Sequence, residues 1–360
     1  MRMRSLAAAA LAAVGLVVVQ SPFVEAQAKD LETIRVGWCT RTINSGAVPW
    51  AVAQKMGYFA EEGLELKLVP VASGNDCVTF VANGELPYAL PALEPVASIV
   101  AKGFDGKTFF TLYHGTTWRI AVPAETAAQS IADLKGKRVG VASMSSVMVA
   151  VTKGLFINAG LDPEKDVSFI AVGAPANAAL AARRGEIDAI AMWDIADMQI
   201  ERVGTKLREL DIPEFSAPSL GIFSSTKYFD AHKEEATKIA RAYAKGSTFT
   251  LANPEAALKI LYEVYNETRT PGMDEAALLK NDLDFITMRR KIWEPIAAQD
   301  GKWGTAVMDA YSGYLKNLAA WGLIDRPVKP EEFITNELID EVNSFDKEAV
   351  TAAAKAYKAN

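Results

Sequence analysis

Histidine and cysteine are nearly absent from this chain: two of each in 360 residues, His114 and His232, Cys39 and Cys77. A histidine triad, a cysteine–histidine nucleophile pair or a zinc site built from imidazoles and thiolates therefore has little to draw on. There is also no glycine-rich phosphate loop, no G-x-S-x-G elbow and no H-E-x-x-H helix. Positive charge is not in excess, with 38 Lys and Arg against 44 Asp and Glu and a net charge of −6. That balance argues against nucleic acid as a partner and against adhesion to anionic membranes. After the first 28 residues no apolar run approaches the roughly 20 residues that span a bilayer. With acid–base and nucleophilic groups so sparse, binding is expected rather than turnover, with no catalytic residue, no metal and no cofactor.

What is present begins with an export pattern. Arg2 and Arg4 precede an uncharged apolar run from Leu6 to Val19, and Ala26-Gln27-Ala28 forms a small-x-small cleavage site. Residues 1–28 read as a signal peptide, and the mature chain is expected to be soluble and periplasmic. In an oxidising compartment Cys39 and Cys77 more often pair than not. A bridge would staple the end of the first strand to the start of the second helix; two free thiols are the alternative.

The body of the chain repeats itself. IRVGWC, a Ser45-Gly46 turn, a helical PWAVAQKMGYFAEEG, the strand LELKLVPV, a helix from Asn75 and GELPYAL are echoed by RVGVAS, Ser145-Ser146, a helical VMVAVTKGLFINAG, DVSFIAV, a helix from Asn177 and GEIDAI. Gly84-Glu85 and Gly185-Glu186 fall at the same point of the two copies. Continuous Ile- and Val-rich strands alternating with helices predict an α/β fold of two lobes, each a mainly parallel sheet flanked by helices. From Tyr228 onward the pattern is almost wholly helical and amphipathic, and reads as cladding for the first lobe. The expected division is lobe I at 29–118 plus 222–345, lobe II at 119–221, and a loosely docked tail at 346–360. The chain crosses between lobes near Trp118-Arg119 and near Gly221-Phe223, which makes those segments the expected hinge.

Ligands of open α/β sheets sit beyond the carboxyl ends of the strands, where helix N-termini offer unpaired N–H groups and partial positive charge. Four such starts are predicted to converge between the lobes: Ser45-Gly46, Gly74-Asn75-Asp76, Ser143 with Ser145 and Ser146, and Pro175 with Asn177. Helix capping is the structural alternative for each. Trp38, Trp118 and Trp193 lie at strand ends or crossings and offer apolar walls. Arg41 and Arg119 are candidate fork donors to a carboxylate or sulfonate, with surface ion pairs as the alternative. Glu94 and Asp194 follow the third strand of each copy and could hold an amine or hydroxyl, which favours a zwitterion over a pure anion.

The phrases KMGYFAEEGLEL, DLKGKRVGV and GEIDAIAMWD, within roughly residues 32 to 225, resemble the nitrate, sulfonate and taurine group of periplasmic solute-binding proteins that serve ABC importers. The resemblance implies a type II periplasmic binding protein that clamps a small molecule between its lobes and delivers it to a membrane permease with its ATPase. It places ligand contacts on Trp38, Cys39 and Thr40, Ser45, Gly74 to Asp76, Glu94, Ser143 to Ser146, Pro175 to Asn177, and Trp193 with Asp194. A sulfonate, taurine-like compound or carboxylate is the expected ligand, and a monomer the expected state. Two alternatives accompany this reading: an enzyme like the thiamine-pyrimidine synthases that share the fold, and a ligand-sensing lobe.

Overall fold

The computed structural model describes residues 31–358 apart from 145, 213–216, 271 and 295–299, so the expected signal peptide and Ser145 lie outside the described residues. The first repeat runs β1 (Glu32–Trp38), a 3-10 turn at Ser45–Ala47, α1 (Val48–Lys55), α2 (Tyr58–Glu61), β2 (Leu64–Pro70), α3 (Gly74–Ala82), β3 (Tyr88–Ala89), α4 (Leu93–Ala101) and β4 (Gly106–Thr111). The second runs β5 (Trp118–Pro123), β6 (Lys137–Val141), α5 (Val147–Asn158), β7 (Val167–Ala171), α6 (Pro175–Arg183), β8 (Ala189–Trp193), α7 (Asp194–Arg202) and β9 (Leu207–Glu209). The chain then returns through β10 (Gly221–Ser225) to α8 (Thr226–Ala231), α9 (Lys233–Ala252), α10 (Pro254–Val264), α11 (Glu275–Trp293) and α12 (Met308–Ala320). It ends with α13 (Pro330–Phe333), α14 (Ile339–Val342) and α15 (Lys347–Ala356).

Two five-stranded sheets result, ordered β2-β1-β3-β10-β4 and β7-β6-β8-β5-β9. The repeated units pair alike: β1 lies parallel to β2 and β3, and β6 lies parallel to β7 and β8. Each sheet also holds one reversed strand, β10 in the first and β5 in the second. These are the strands formed just after the chain crosses from one sheet to the other, and each enters its new sheet from the opposite end. The sheets are therefore mixed, and the reversal marks the crossings. The crossing segments are themselves tied together, Leu112 N–H donating to Leu220 O (2.8 Å) and Ser219 N–H to Tyr113 O (3.1 Å).

The paired Gly-Glu steps of the sequence have a common physical cause. Gly84 and Gly185 follow the last residues of α3 and α6 with φ of 74° and 66°, a left-handed turn that glycine adopts without a Cβ penalty. The next residue closes the same bond in each copy, Glu85 N–H to Phe80 O and Glu186 N–H to Ala181 O, both 2.8 Å. This is the Schellman termination of a helix.

The helical remainder departs from the expected cladding of one lobe. Ile239, Tyr243 and Phe249 of α9, Leu258 and Leu261 of α10, and Leu278 and Phe285 of α11 share one buried cluster with Ile34, Val36 and Trp50 of the first sheet and its helix α1. Tyr311, Tyr314, Leu315 and Leu318 of α12 instead join a cluster that runs from Val78 and Leu93 beside the first sheet to Val139, Met148 and Leu155 in and beside the second. Just after α12, the Trp321 ring rests where Gly154 of α5 has no side chain. Its indole N–H donates to Asn158 (3.2 Å). The tail also differs from expectation. α15 docks on α9 with Val350 and Ala354 buried, and Asn253 donates to Ala354 O (2.8 Å). Val350 and Ala354, one turn apart, form that face, while Ala349, Ala352, Ala353 and Ala356 stay exposed.

Candidate functional site

β1 delivers Trp38 to the carboxyl end of the first sheet. The indole is buried, donates to Thr42 O (3.0 Å) and turns its edge toward Gly46. Asn44 caps the 3-10 turn by accepting from Gly46 N–H (3.0 Å), which sets Ser45 facing α11. The Ser45 hydroxyl donates to Asp282 (3.1 Å), and the same carboxylate accepts from Tyr262 of α10 (2.7 Å) and from Arg202 of α7 (3.2 Å). One buried acid of α11 thus gathers groups from both sheets' surroundings. Cys39 and Cys77 are disulfide-bonded, which anchors the loop after β1 to α3.

At the carboxyl end of the second sheet, β8 ends in Trp193 and α7 begins at once with Asp194. The Asp194 N–H donates to Thr117 O (3.0 Å), and its carboxylate accepts from Ile195 N–H (2.8 Å). Arg289 of α11 engages both carboxylate oxygens side-on through Nε and Nη2. The two side chains are only 8% and 1% exposed. The guanidinium lies over the rings of Tyr113 (4.6 Å) and Phe285 (5.0 Å), which fix its plane. A buried charge without a partner costs several kcal/mol, so such an arginine needs an anion against it at all times.

Trp118 stands opposite Trp193 in the β5–β8 register. Its indole N–H donates to Glu94 Oε1 (2.8 Å), and Tyr314 of α12 donates to the same oxygen (2.7 Å). Glu94 Oε2 has no hydrogen-bond partner among the described residues. Burial pushes the Glu94 carboxyl above the usual range, against the pull of the Tyr314 and Trp118 bonds. One turn into α7, burial pushes Asp197 well above its ordinary value, reinforced by Glu209 and Asp194.

Open space beside Arg289 is small. Ser45, Gly46, Tyr113, Phe285, Arg289 and Trp293 help line a pocket of about 10 Å³, room for one water. A larger groove of about 460 Å³ borders Trp118, Arg119, Glu209 and Asp211.

The residues singled out in the sequence divide accordingly. Ser45, Gly46, Trp38 and Asp194 meet around α11, and Glu94 meets Trp118 beside Trp193. Arg119 pairs with Glu209 of β9 (2.9 Å) and donates to Thr116 O and Trp118 O, so its donors are committed to β9 and to the start of its own strand. Arg41 is exposed, and Thr40, also exposed, donates to Thr42 O (2.8 Å). Gly74 abuts Pro95, Asn75 is exposed, and Asp76 is held by Ser73. Ser146 caps α5 through Met148 N–H, Ser143 and Asn177 are exposed, and Pro175 opens α6. Capping accounts for Asn44 and Ser146 through side-chain bonds, whereas α6 has no side-chain cap.

Asp282, Arg289, Arg202 and Tyr113 were not singled out. The signal for two of them lay in α11, whose buried face includes Leu278, Asp282, Phe285, Arg289 and Trp293. Charges that fall on the apolar stripe of a helix are paired or functional. Reading α11 as cladding overlooked them.

The model of the family described as NMT1/THI5-like matches residues 44–257. A 4-amino-5-hydroxymethyl-2-methylpyrimidine phosphate synthase of Legionella pneumophila is 24% identical over 249 residues, covering 68% of this chain and 76% of the relative. A formylaminopyrimidine-binding protein of Halalkalibacterium halodurans is 23% identical over 307 residues, covering 84% and 89%. Among solved structures, the alkanesulfonate-binding protein SsuA of Xanthomonas axonopodis pv. citri, bound to MOPS, superposes with a TM-score of 0.63 at 18% identity, covering 85% of this chain and 99% of that one. The fold is therefore the two-lobed periplasmic binding protein fold.

Proposed function

The chain belongs to the NMT1/THI5-like family, and on that premise we propose that it is the exported substrate-binding component of an ABC importer, taking up a small organic anion or zwitterion between its lobes. One observation carries this reading. Asp194, at the carboxyl end of β8 in the second sheet, is gripped by Arg289 of a helix packed on the first sheet, beside Ser45 at the carboxyl end of β1. Both lobes thus present their strand ends, buried charge and aromatic walls to one place, the arrangement of an interdomain ligand site. The tied crossing segments at Leu112–Tyr113 and Ser219–Leu220 act as the hinge. The proposed lobes are 29–118 with 222–345, and 119–221. The Cys39–Cys77 bond suits work outside the cytoplasm, and no helix among the described residues is long and apolar enough to cross a membrane.

A sulfonate or carboxylate is favoured by the fork of Arg289 and by the sulfonate-binding neighbour. An aminopyrimidine is the second reading. It is favoured by the formylaminopyrimidine-binding relative and by Glu94 Oε2, a buried acceptor suited to an amino N–H. A synthase reaction is disfavoured by the placement of the histidines and cysteines. His232 stacks on Tyr228, His114 lies under the end of α11, and both cysteines are bonded to each other.

The test is calorimetry and thermal shift of the mature protein against MOPS, taurine, aromatic carboxylates, nitrate and aminopyrimidines. Saturable 1:1 binding of one class with no chemical change supports the reading. Conversion of a panel compound, or failure of every member to bind, overturns it.

A further inference from the structure

Arg289 and Asp282 lie two turns apart on the buried face of α11, and each makes an ion pair with α7 across the lobes, yet their surroundings differ. Asp282 accepts from Ser45, Tyr262 and Arg202, three donors from three elements. It is a fully engaged structural acid. Among the described residues, Asp194 has Arg289 and, besides it, the N–H of Ile195 as donors to its carboxylate. As the first residue of α7 it also sits in the positive field of that helix start, which goes on holding a carboxylate if Arg289 turns elsewhere. Arg289 has no comparable freedom. It is buried against Tyr113 and Phe285 in a fixed plane, and it forms one wall of the pocket that Ser45 and Gly46 close on the other side. A guanidinium so held binds a planar or tetrahedral oxyanion side-on, and exchanges one anion for another more readily than it does without any.

We infer that Arg289 is the residue that selects an anionic ligand, and that Asp194 is its internal counter-ion, displaced when the ligand's carboxylate or sulfonate takes over the Nε–Nη2 edge. This rests on the proposed role as a substrate-binding protein and adds its specificity determinant. The water-sized pocket then opens by loss of the Asp194–Arg289 contact, while Arg202–Asp282 holds α7 to α11. Asp194 competes with the ligand and does not contact it, which sets the sign of its mutation opposite to that of an ordinary site residue.

The probe is MOPS, titrated calorimetrically into the mature wild type, Asp194→Asn and Arg289→Gln, with thermal unfolding confirming that each is folded. Removing the competing charge is expected to tighten MOPS binding about tenfold in Asp194→Asn, within the usual range of coupling between sites, and Arg289→Gln is expected to lose it. Weaker or unchanged binding in Asp194→Asn overturns the inference. A second readout needs no variant of Asp194: the guanidinium Nε–H resonance of Arg289 in the wild type, assigned by its loss in Arg289→Lys, is expected to shift as MOPS saturates. An unmoved resonance under saturating MOPS overturns the inference. If the wild type binds only an uncharged aminopyrimidine, with equal affinity in all three proteins, the role of Arg289 falls while the binding function stands. If no panel compound binds, both fall.

Discussion

Glu94 shows how a single residue can work against the fold that holds it. Its carboxyl is buried, two donors share one of its oxygens, and burial pushes its pKa up. An acid whose folded pKa lies above its unfolded value contributes most below the unfolded value, near pH 4, and loses that contribution as pH rises through the folded value. Glu94→Gln keeps an acceptor for Trp118 and Tyr314 and removes the cost of the charge. Thermal unfolding across pH should find it more stable than wild type at pH 8, by on the order of 1 kcal/mol, with the gap closing toward pH 4. A gap that does not depend on pH would contradict the assignment. Glu94 and Asp194 were visible in the sequence because each follows a third strand. Arg289 and Asp282 were not, because an amphipathic period draws the eye to its apolar members, while the informative positions were the two charges on the same stripe.

At the scale of elements, the repeat was legible because it has a cause in backbone geometry. Two helices stop at left-handed glycines and hand the chain to equivalent strands. The placement of α12 was not legible, since its buried residues carry no mark of which lobe they serve. Gly154 is where that placement can be read. In the middle of a helix, Gly→Ala normally stabilises by roughly 0.5–1 kcal/mol, but a Cβ at Gly154 would come within 2.1 Å of the Trp321 ring. Gly154→Ala is therefore expected to destabilise by about 1–3 kcal/mol in chemical denaturation, and to become stabilising in a Trp321→Ala background. Additive effects would show that the ring does not lie on α5.

For the whole molecule, the two mixed sheets, their paired crossings and the staple between β1's loop and α3 make one frame for an interlobe site. The Cys39–Cys77 bond spans a sequence separation of 38 residues, and a loop of that length is worth about 4 kcal/mol in chain entropy. The double variant Cys39→Ser with Cys77→Ser should unfold at lower denaturant by roughly that free energy. An unchanged midpoint would mean that the bond contributes nothing to the frame.

The two lobes were foreseeable from the repeat and the length of the chain, and the ligand class was not, because the charged groups proposed to select it lie on α11, outside both copies. In the proposed function this interlobe frame captures a small molecule and leaves it intact. The decisive measurement is native mass spectrometry of the protein purified from its source, set against its denatured mass. A single 1:1 increment is expected, released on unfolding as an unaltered organic anion or zwitterion. Equal native and denatured masses, together with chemical conversion of a panel compound, would contradict it.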